Sequence, residues 1–263
     1  MALSVFIIGP AGSGKTTFTA NFAEWARSEA VPVLLVNLDP AAEQLPYVPD
    51  VDVREYIDAR SVMESFELGP NGAIIASMDM LLGYLERLRE EIEPFKEGYV
   101  LVDTPGQMEL FVFRRSGEAI LRLLTQDRAA VVFLMDATLS TSPSSFLSQV
   151  FLAVSVLCRI KLPQINALNK ADLLSTKELE RILRWCDDPD SFECDLEMEL
   201  KGIERLAGKG LLNFVKDFMD TFDFYVISSK NMEGFSNIYS ELQKIYMGGE
   251  DFELPEYLSD RYF

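Results

Sequence analysis

The sequence contains no histidine. That removes histidine general bases, histidine-centred triads and imidazole metal sites from the chemistry open to it. A catalytic metal would have to be held by oxygen, which suits Mg2+. Cysteine is scarce: Cys158, Cys186 and Cys194 are odd in number and lack metal-ligand spacing. They fit a reduced intracellular chain whose thiols pack, so a cytoplasmic location is expected. Basic side chains are outnumbered, 24 Lys and Arg against 42 Asp and Glu, giving a formal net charge of −18. No basic run offsets this, so no direct nucleic-acid contact is expected. A solubilising surface or a basic protein partner would account for the acidity. Long uncharged apolar runs are also missing. The longest, Val150 to Cys158, covers about nine residues, too few to span a bilayer, so no membrane association is expected. Met1 leads almost directly into an apolar stretch, which leaves no room for a signal peptide.

What is present suits a globular α/β chain. With 263 residues, 48% of them hydrophobic, one sizeable core can form. The expectation is one domain over 1–263 with a helical insert at about 186–221. Strand-like runs lie at Leu3–Ile8, Val33–Asn37, Tyr99–Asp103, Ala129–Met135, Gln164–Leu168 and Phe224–Ile227. Several are apolar on consecutive residues, as in a parallel sheet buried on both faces. Helix-like stretches separate them, at 15–28, 73–93, 107–125, 142–159, 176–185, 196–221 (broken near Gly208-Lys209-Gly210) and 233–247. Alternation of this kind predicts a doubly wound, mostly parallel sheet flanked by helices, with helical insertions. The tail from Gly248 to Phe263 is expected to pack down.

The stretch that organises the rest is Ser4 to Thr17. The apolar run Val5-Phe6-Ile7-Ile8 ends at Gly9, and Gly9 to Thr16 fits G-x-x-x-x-G-K-[ST]. Strand, glycine loop and helix in that order make a phosphate-binding loop of the P-loop NTPase kind. Gly12 and Gly14 let successive N–H groups point inward at phosphate oxygens, and the following helix adds its positive end. Gly12, Ser13, Gly14, Lys15, Thr16 and Thr17 are therefore candidate nucleotide contacts. Lys15 reaches the β- and γ-phosphates, and the Thr16 hydroxyl is a Mg2+ ligand.

Three strand ends supply the remaining candidates. Asp39, after the second strand, sits where ligands bind in such sheets, as a metal-shell group or a group polarising the attacking water; an ordinary Asp-Pro turn explains it equally well. Asp103, in Asp103-Thr104-Pro105-Gly106-Gln107, can hold Mg2+ through water. Gly106 lets its N–H approach a γ-phosphate, and Gln107 can orient a water for in-line attack. Asp172, in Asn169-Lys170-Ala171-Asp172, can accept both guanine donors, N1–H and the N2 amino group, which adenine lacks. Asn169 would bind the purine edge and the Lys170 stem would lie along the ring face. Ser229, in Ser228-Ser229-Lys230, offers a backbone N–H to the guanine O6.

Together these pieces resemble the GTPases, and Leu68-Gly69-Pro70-Asn71-Gly72-Ala73 narrows the resemblance. It looks like the Gly-Pro-Asn loop of the GPN-loop GTPases, and the match extends to Asp39-Pro40-Ala41 and Asp103-Thr104-Pro105-Gly106-Gln107. The resemblance implies a Mg2+-dependent GTPase that binds GTP and GDP and works as a homodimer. It also implies that Gly69, Pro70 and Asn71 of one subunit reach the phosphate site of the other. A related class of dimeric ATPases supplies a lysine in trans from the position after the first loop glycine; here that position is Pro10. In the helix after the Gly-Pro-Asn loop, Met78, Met80, Leu81, Leu82, Leu85 and Leu88 are expected to divide between core and dimer contact. Relatives of this kind are assembly factors, tied in eukaryotes to RNA polymerase biogenesis and nuclear import. A chain ending at Phe263 resembles the compact archaeal type, acting as a nucleotide-driven switch on a protein client. The competing readings are a metal-insertion GTPase, which would need cysteine or histidine clusters, a P-loop kinase, for which only Arg114-Arg115 hints at a lid, and a GTP-holding scaffold without turnover.

Overall fold

The computed structural model describes residues 2–125, 128–199, 217–219 and 222–248. Seven strands form one sheet: β1 (Ala2–Ile8), β2 (Val33–Asn37), β3 (Val51–Asp52), β4 (Gly98–Asp103), β5 (Arg128–Asp136), β6 (Gln164–Asn169) and β7 (Phe224–Val226). Their order is β3-β2-β4-β1-β5-β6-β7, and every pairing between them is parallel. β1 is central because it is buried on every residue. Its alternate side chains feed two different cores. Phe6 and Ile8 join Val100, Val102, Val131 and Phe133 on one face. Leu3, Val5 and Ile7 join Leu101, Val132 and Leu134 on the other. Consecutive apolar residues in these strands thus reflect a sheet with two covered faces.

Ten helices flank the sheet among the described residues: α1 (Lys15–Ser28), α2 (Ala59–Ser65), α3 (Pro70–Met80), α4 (Leu85–Ile92), α5 (Met108–Val112), α6 (Arg115–Leu124), α7 (Pro143–Ile160), α8 (Thr176–Asp187), α9 (Pro189–Glu199) and α10 (Phe235–Met247). α1 and α10 cover one face through Phe18, Phe22, Phe235 and Ile238. α7 has the length and apolarity of a membrane span. Its Phe146, Val150, Ala153 and Val156 nevertheless lie buried in the larger core.

The structure departs from the sequence reading at four places. Val51–Asp52 and Ala59–Ser65 form elements that the reading left as loop. The helix expected from residue 73 begins at Pro70, with Gly69 as N-cap and proline in its first turn, so the Gly-Pro-Asn segment is itself a helix N-terminus. It breaks into a 3-10 turn at Leu81–Tyr84 before α4 resumes. The stretch 107–125 is a helical corner, α5 then α6, because α6 crosses tightly over the end of α5: a Cβ on Gly117 would lie 1.7 Å from the Phe111 carbonyl oxygen. The helix expected from residue 196 begins earlier, at Pro189, as α9. Most of the 196–221 stretch, its expected break at Gly208-Lys209-Gly210, and the tail beyond Gly248 lie outside the described residues.

Candidate nucleotide site

The loop between β1 and α1 takes the shape its glycines permit. Gly12 has φ 78° and Gly14 φ 96°, both in the left-handed region. Gly14 caps α1, and a Cβ there would lie 2.5 Å from Asn169 Nδ2, so neither backbone nor space tolerates a side chain. Lys15 opens the helix and is buried. Its Nζ donates to the carbonyls of Gly9 (2.8 Å), Pro10 (3.0 Å) and Gly106 (3.0 Å). Burial pushes its pKa down to about 8, although Asp103 and Asp39 pull the other way. An ammonium held by neutral carbonyls between the phosphate loop and the β4 turn can exchange them for phosphate oxygens.

Asp103 ends β4 at 1% exposure. Its Oδ2 accepts from the Tyr47 hydroxyl at 3.0 Å, and Thr16 also donates to the carboxylate. Burial dominates its titration and lifts the pKa to about 6, against the pull of the Thr16 and Tyr47 bonds and of Lys15. Its Oδ1 is buried with no partner. Asp39 stands across the turn: its Oδ2 accepts from Gly106 N–H at 3.1 Å and its Oδ1 from Ala41 N–H at 2.9 Å. The donor set is therefore one hydroxyl and two carboxylates. Among the described residues no cluster of three or more acid, cysteine or histidine side chains forms a metal cage. Such a sparse oxygen set, with an orphaned carboxylate oxygen, fits Mg2+, which keeps water and takes phosphate oxygens as further ligands.

Gln107 caps α5, and its Nε2 donates to Asn71 Oδ1 at 3.2 Å within the same chain. Gly69, Pro70 and Asn71 are exposed. A second link lies one helix further on, where Arg114 pairs with Asp79 of α3 at 3.0 Å. The Gly-Pro-Asn helix is thus joined to the segment after β4 at two points.

At the other end of the loop, Asn169 is 1% exposed and satisfied on both sides. Its Nδ2 donates to the Ser13 carbonyl at 2.8 Å, and its Oδ1 accepts from Ser229 N–H at 2.9 Å. It ties the phosphate loop to the turn after β7, leaving one Nδ2 proton for a base. The Ser229 N–H, read from sequence as an O6 donor, is occupied by this bond. Asp172 is exposed, and its Oδ1 accepts from Ser228 Oγ at 2.6 Å. Thr17 is exposed on the first turn of α1.

Sequence reasoning missed Tyr47, Asp52, Arg54 and Asp136. Arg54 grips Asp52 through Nε at 3.0 Å and NH2 at 2.6 Å and donates to the Ala42 carbonyl at 2.8 Å. Asp52 in turn accepts from Asn37 Nδ2 at 2.9 Å. This brace holds the Asp39 loop from outside. Tyr47 gives no periodic signal. Asp136 does: like Asp103, it is an aspartate closing an apolar strand.

The chain is similar in sequence and fold to known proteins. A family model described as "Conserved hypothetical ATP binding protein" matches residues 7–248. GPN-loop GTPase 3 of Saccharomyces cerevisiae is 34% identical over 97% of this chain and 96% of its own. GPN-loop GTPase 1 of Dictyostelium discoideum is 30% identical over 95% of this chain, which spans only 62% of that relative's length. The crystal structure of a GTPase in apo form from Pyrococcus abyssi superposes with a TM-score of 0.84 at 31% identity, covering 93% of this chain and 97% of that one.

Proposed function

The chain belongs to the GPN-loop GTPase family, and from that premise we propose that it is a Mg2+-dependent GTPase, hydrolysing GTP to GDP and phosphate as a homodimeric switch on a protein client. The observation that carries the reading is that Asn169 bonds both the phosphate loop and the turn after β7, while Asp172, three residues on, accepts from Ser228 of that same turn. The family model's description speaks of ATP, but the exposed Asp172 carboxylate favours a base with two adjacent donors. Guanine has them and adenine does not.

The residues divide the work. Backbone N–H groups of Gly12 to Thr16 cradle the phosphates, and Lys15 trades its carbonyl partners for β- and γ-oxygens. Thr16, Asp103 and Asp39 would hold Mg2+, which supplies charge neutralisation on the phosphate oxygens. Gly106 N–H releases Asp39 and turns to the γ-phosphate. Gln107 then orients the attacking water, with Asn71 bonded to its amide and fixing its direction. In a dimer, Asn71 of one subunit would serve the partner's γ-phosphate; in a single chain it serves its own Gln107. Phe66, Met80, Leu82 and Phe113 are exposed apolar residues that a second copy would cover. Exchange of GTP for GDP would move the β4 turn and α3 together through the Gln107–Asn71 and Arg114–Asp79 links.

The test is γ-phosphate release by the pure protein with GTP or ATP, with and without Mg2+. The reading expects release from GTP alone and only with the metal. Binding of GTP without release would favour a scaffold, and equal turnover of ATP would reject the base assignment.

A further inference from the structure

The segment Asn169-Lys170-Ala171-Asp172 is fixed by three parts of the fold: the phosphate loop, the turn after β7 and the end of β5. Asn169 is held by the phosphate loop and by the turn after β7. Asp172 is held by Ser228. Lys170 is held by the end of β5: its Nζ donates to Asp136 Oδ2 at 2.6 Å. Asp136 is the last residue of β5 and lies opposite Asn169 in the β5–β6 register. Its side chain is only 9% exposed, whereas that of Lys170 is 29% exposed. The other carboxylate oxygen accepts from the Thr138 backbone N–H at 2.9 Å and its hydroxyl at 2.6 Å. Burial alone would raise the Asp136 pKa, but the bonds from Lys170 and Thr138 outweigh it and hold the carboxyl below the usual range. The backbone of Lys170 adds a second constraint. It sits at φ 68°, ψ 31°, in the left-handed region that a lysine rarely enters. A strained residue with a long flexible side chain keeps one arrangement only when its surroundings over-determine it.

We propose that Asp136 is a positioning residue for the nucleotide base. It holds the Lys170 ammonium at the end of β5 and so lays the lysine stem in advance where the purine face rests. The proposal rests on the guanine reading of the site. A stem fixed before the nucleotide arrives loses less rotamer freedom on binding, so Asp136 adds affinity without touching the ligand. Removing its charge frees the ammonium to seek solvent or the loop carbonyls, and the stem leaves the base.

The test is a double-mutant cycle on the full chain, read by equilibrium binding and dissociation of a fluorescent GDP, with the same label on ADP as reference. Asp136→Asn should bind labelled GDP about tenfold more weakly, through faster dissociation. Lys170→Met should lose at least as much. In the Lys170→Met background, Asp136→Asn should add less than about a twofold change, because its effect runs through the ammonium. Thr138→Val, which removes the hydroxyl donor to Asp136, should stay within about twofold of wild type. Wild-type affinity in Asp136→Asn, or an equal loss in both backgrounds, overturns the proposal: the first denies any role and the second makes the role structural. Should Asp136→Asn fail to fold, Asp136→Ser, which also removes the charge and keeps a small polar group beside Thr138, is read in the same cycle with the same criteria. If the wild-type protein binds labelled ADP as well as labelled GDP, the guanine reading falls and this proposal with it. If it prefers GDP and Asp136→Asn is unaffected, only the role of Asp136 is rejected.

Discussion

Truncating Asn169 to alanine should weaken the nucleotide-free protein, not only its complex. Two buried hydrogen bonds disappear, one to the Ser13 carbonyl and one from Ser229 N–H, spanning 156 and 60 residues of sequence. Both backbone partners are left without the side chain that satisfied them, each at a cost of about 1–3 kcal/mol. The sum is about 2–6 kcal/mol, a large share of the roughly 5–15 kcal/mol that a domain has. Urea unfolding without nucleotide should therefore move to clearly lower denaturant at unchanged slope. Asp172→Ala is the matched control. Asp172 is exposed and loses one bond, from Ser228, so its unfolding free energy should fall by no more than about 1 kcal/mol while guanine preference disappears. A loss below about 0.5 kcal/mol for Asn169→Ala would refute the argument, because buried partners would then have found water or one another. Equal loss in the two variants would refute the division between a bracing asparagine and a reading aspartate.

Other outcomes follow from the same geometry. Gln107→Ala should keep Mg·GTP affinity near wild type while kcat falls, since water is placed only on the way to the transition state; an unchanged kcat in single-turnover kinetics would move that role to Asp39. Mixed dimers of Asn71→Ala and Lys15→Ala subunits should regain turnover if Asn71 acts across the interface, because one site then has both residues intact. No recovery in verified mixed dimers would keep Asn71 in cis, where it already meets Gln107. Cys186, whose thiol burial pushes up to about 12, should resist a thiol reagent at pH 8 in the native protein, whereas the exposed Cys158 and Cys194 react. Fast labelling at Cys186, mapped by mass spectrometry, would contradict its packing.

Much of the fold could be read from residues alone, because strands buried on both faces leave unbroken apolar runs. β1 is legible for that reason, and its alternate residues do feed the two cores. β3 is not legible: two residues cannot show a period, and Val51 and Asp52 are held by β2 from outside. The α5–α6 corner was hidden because its cause is a contact between Gly117 and Phe111 rather than a helix-breaking sequence. At the site, Lys15, Asp103 and Asp172 could be named because each follows a strand or a glycine loop. Tyr47 could not, since its bond to Asp103 joins positions 56 residues apart with no local signature. For Asn169 the residues point only to the base; that its side chain also ties the phosphate loop to the turn after β7 is a role only the folded chain reveals.

The proposed guanine preference turns on Asp172, and competition against a bound fluorescent GDP is its test. GDP should displace the probe at least about a thousandfold better than ADP, and Asp172→Asn should abolish most of that ratio. Comparable displacement by ADP and GDP in the wild-type protein, or an undiminished ratio in Asp172→Asn, would contradict it.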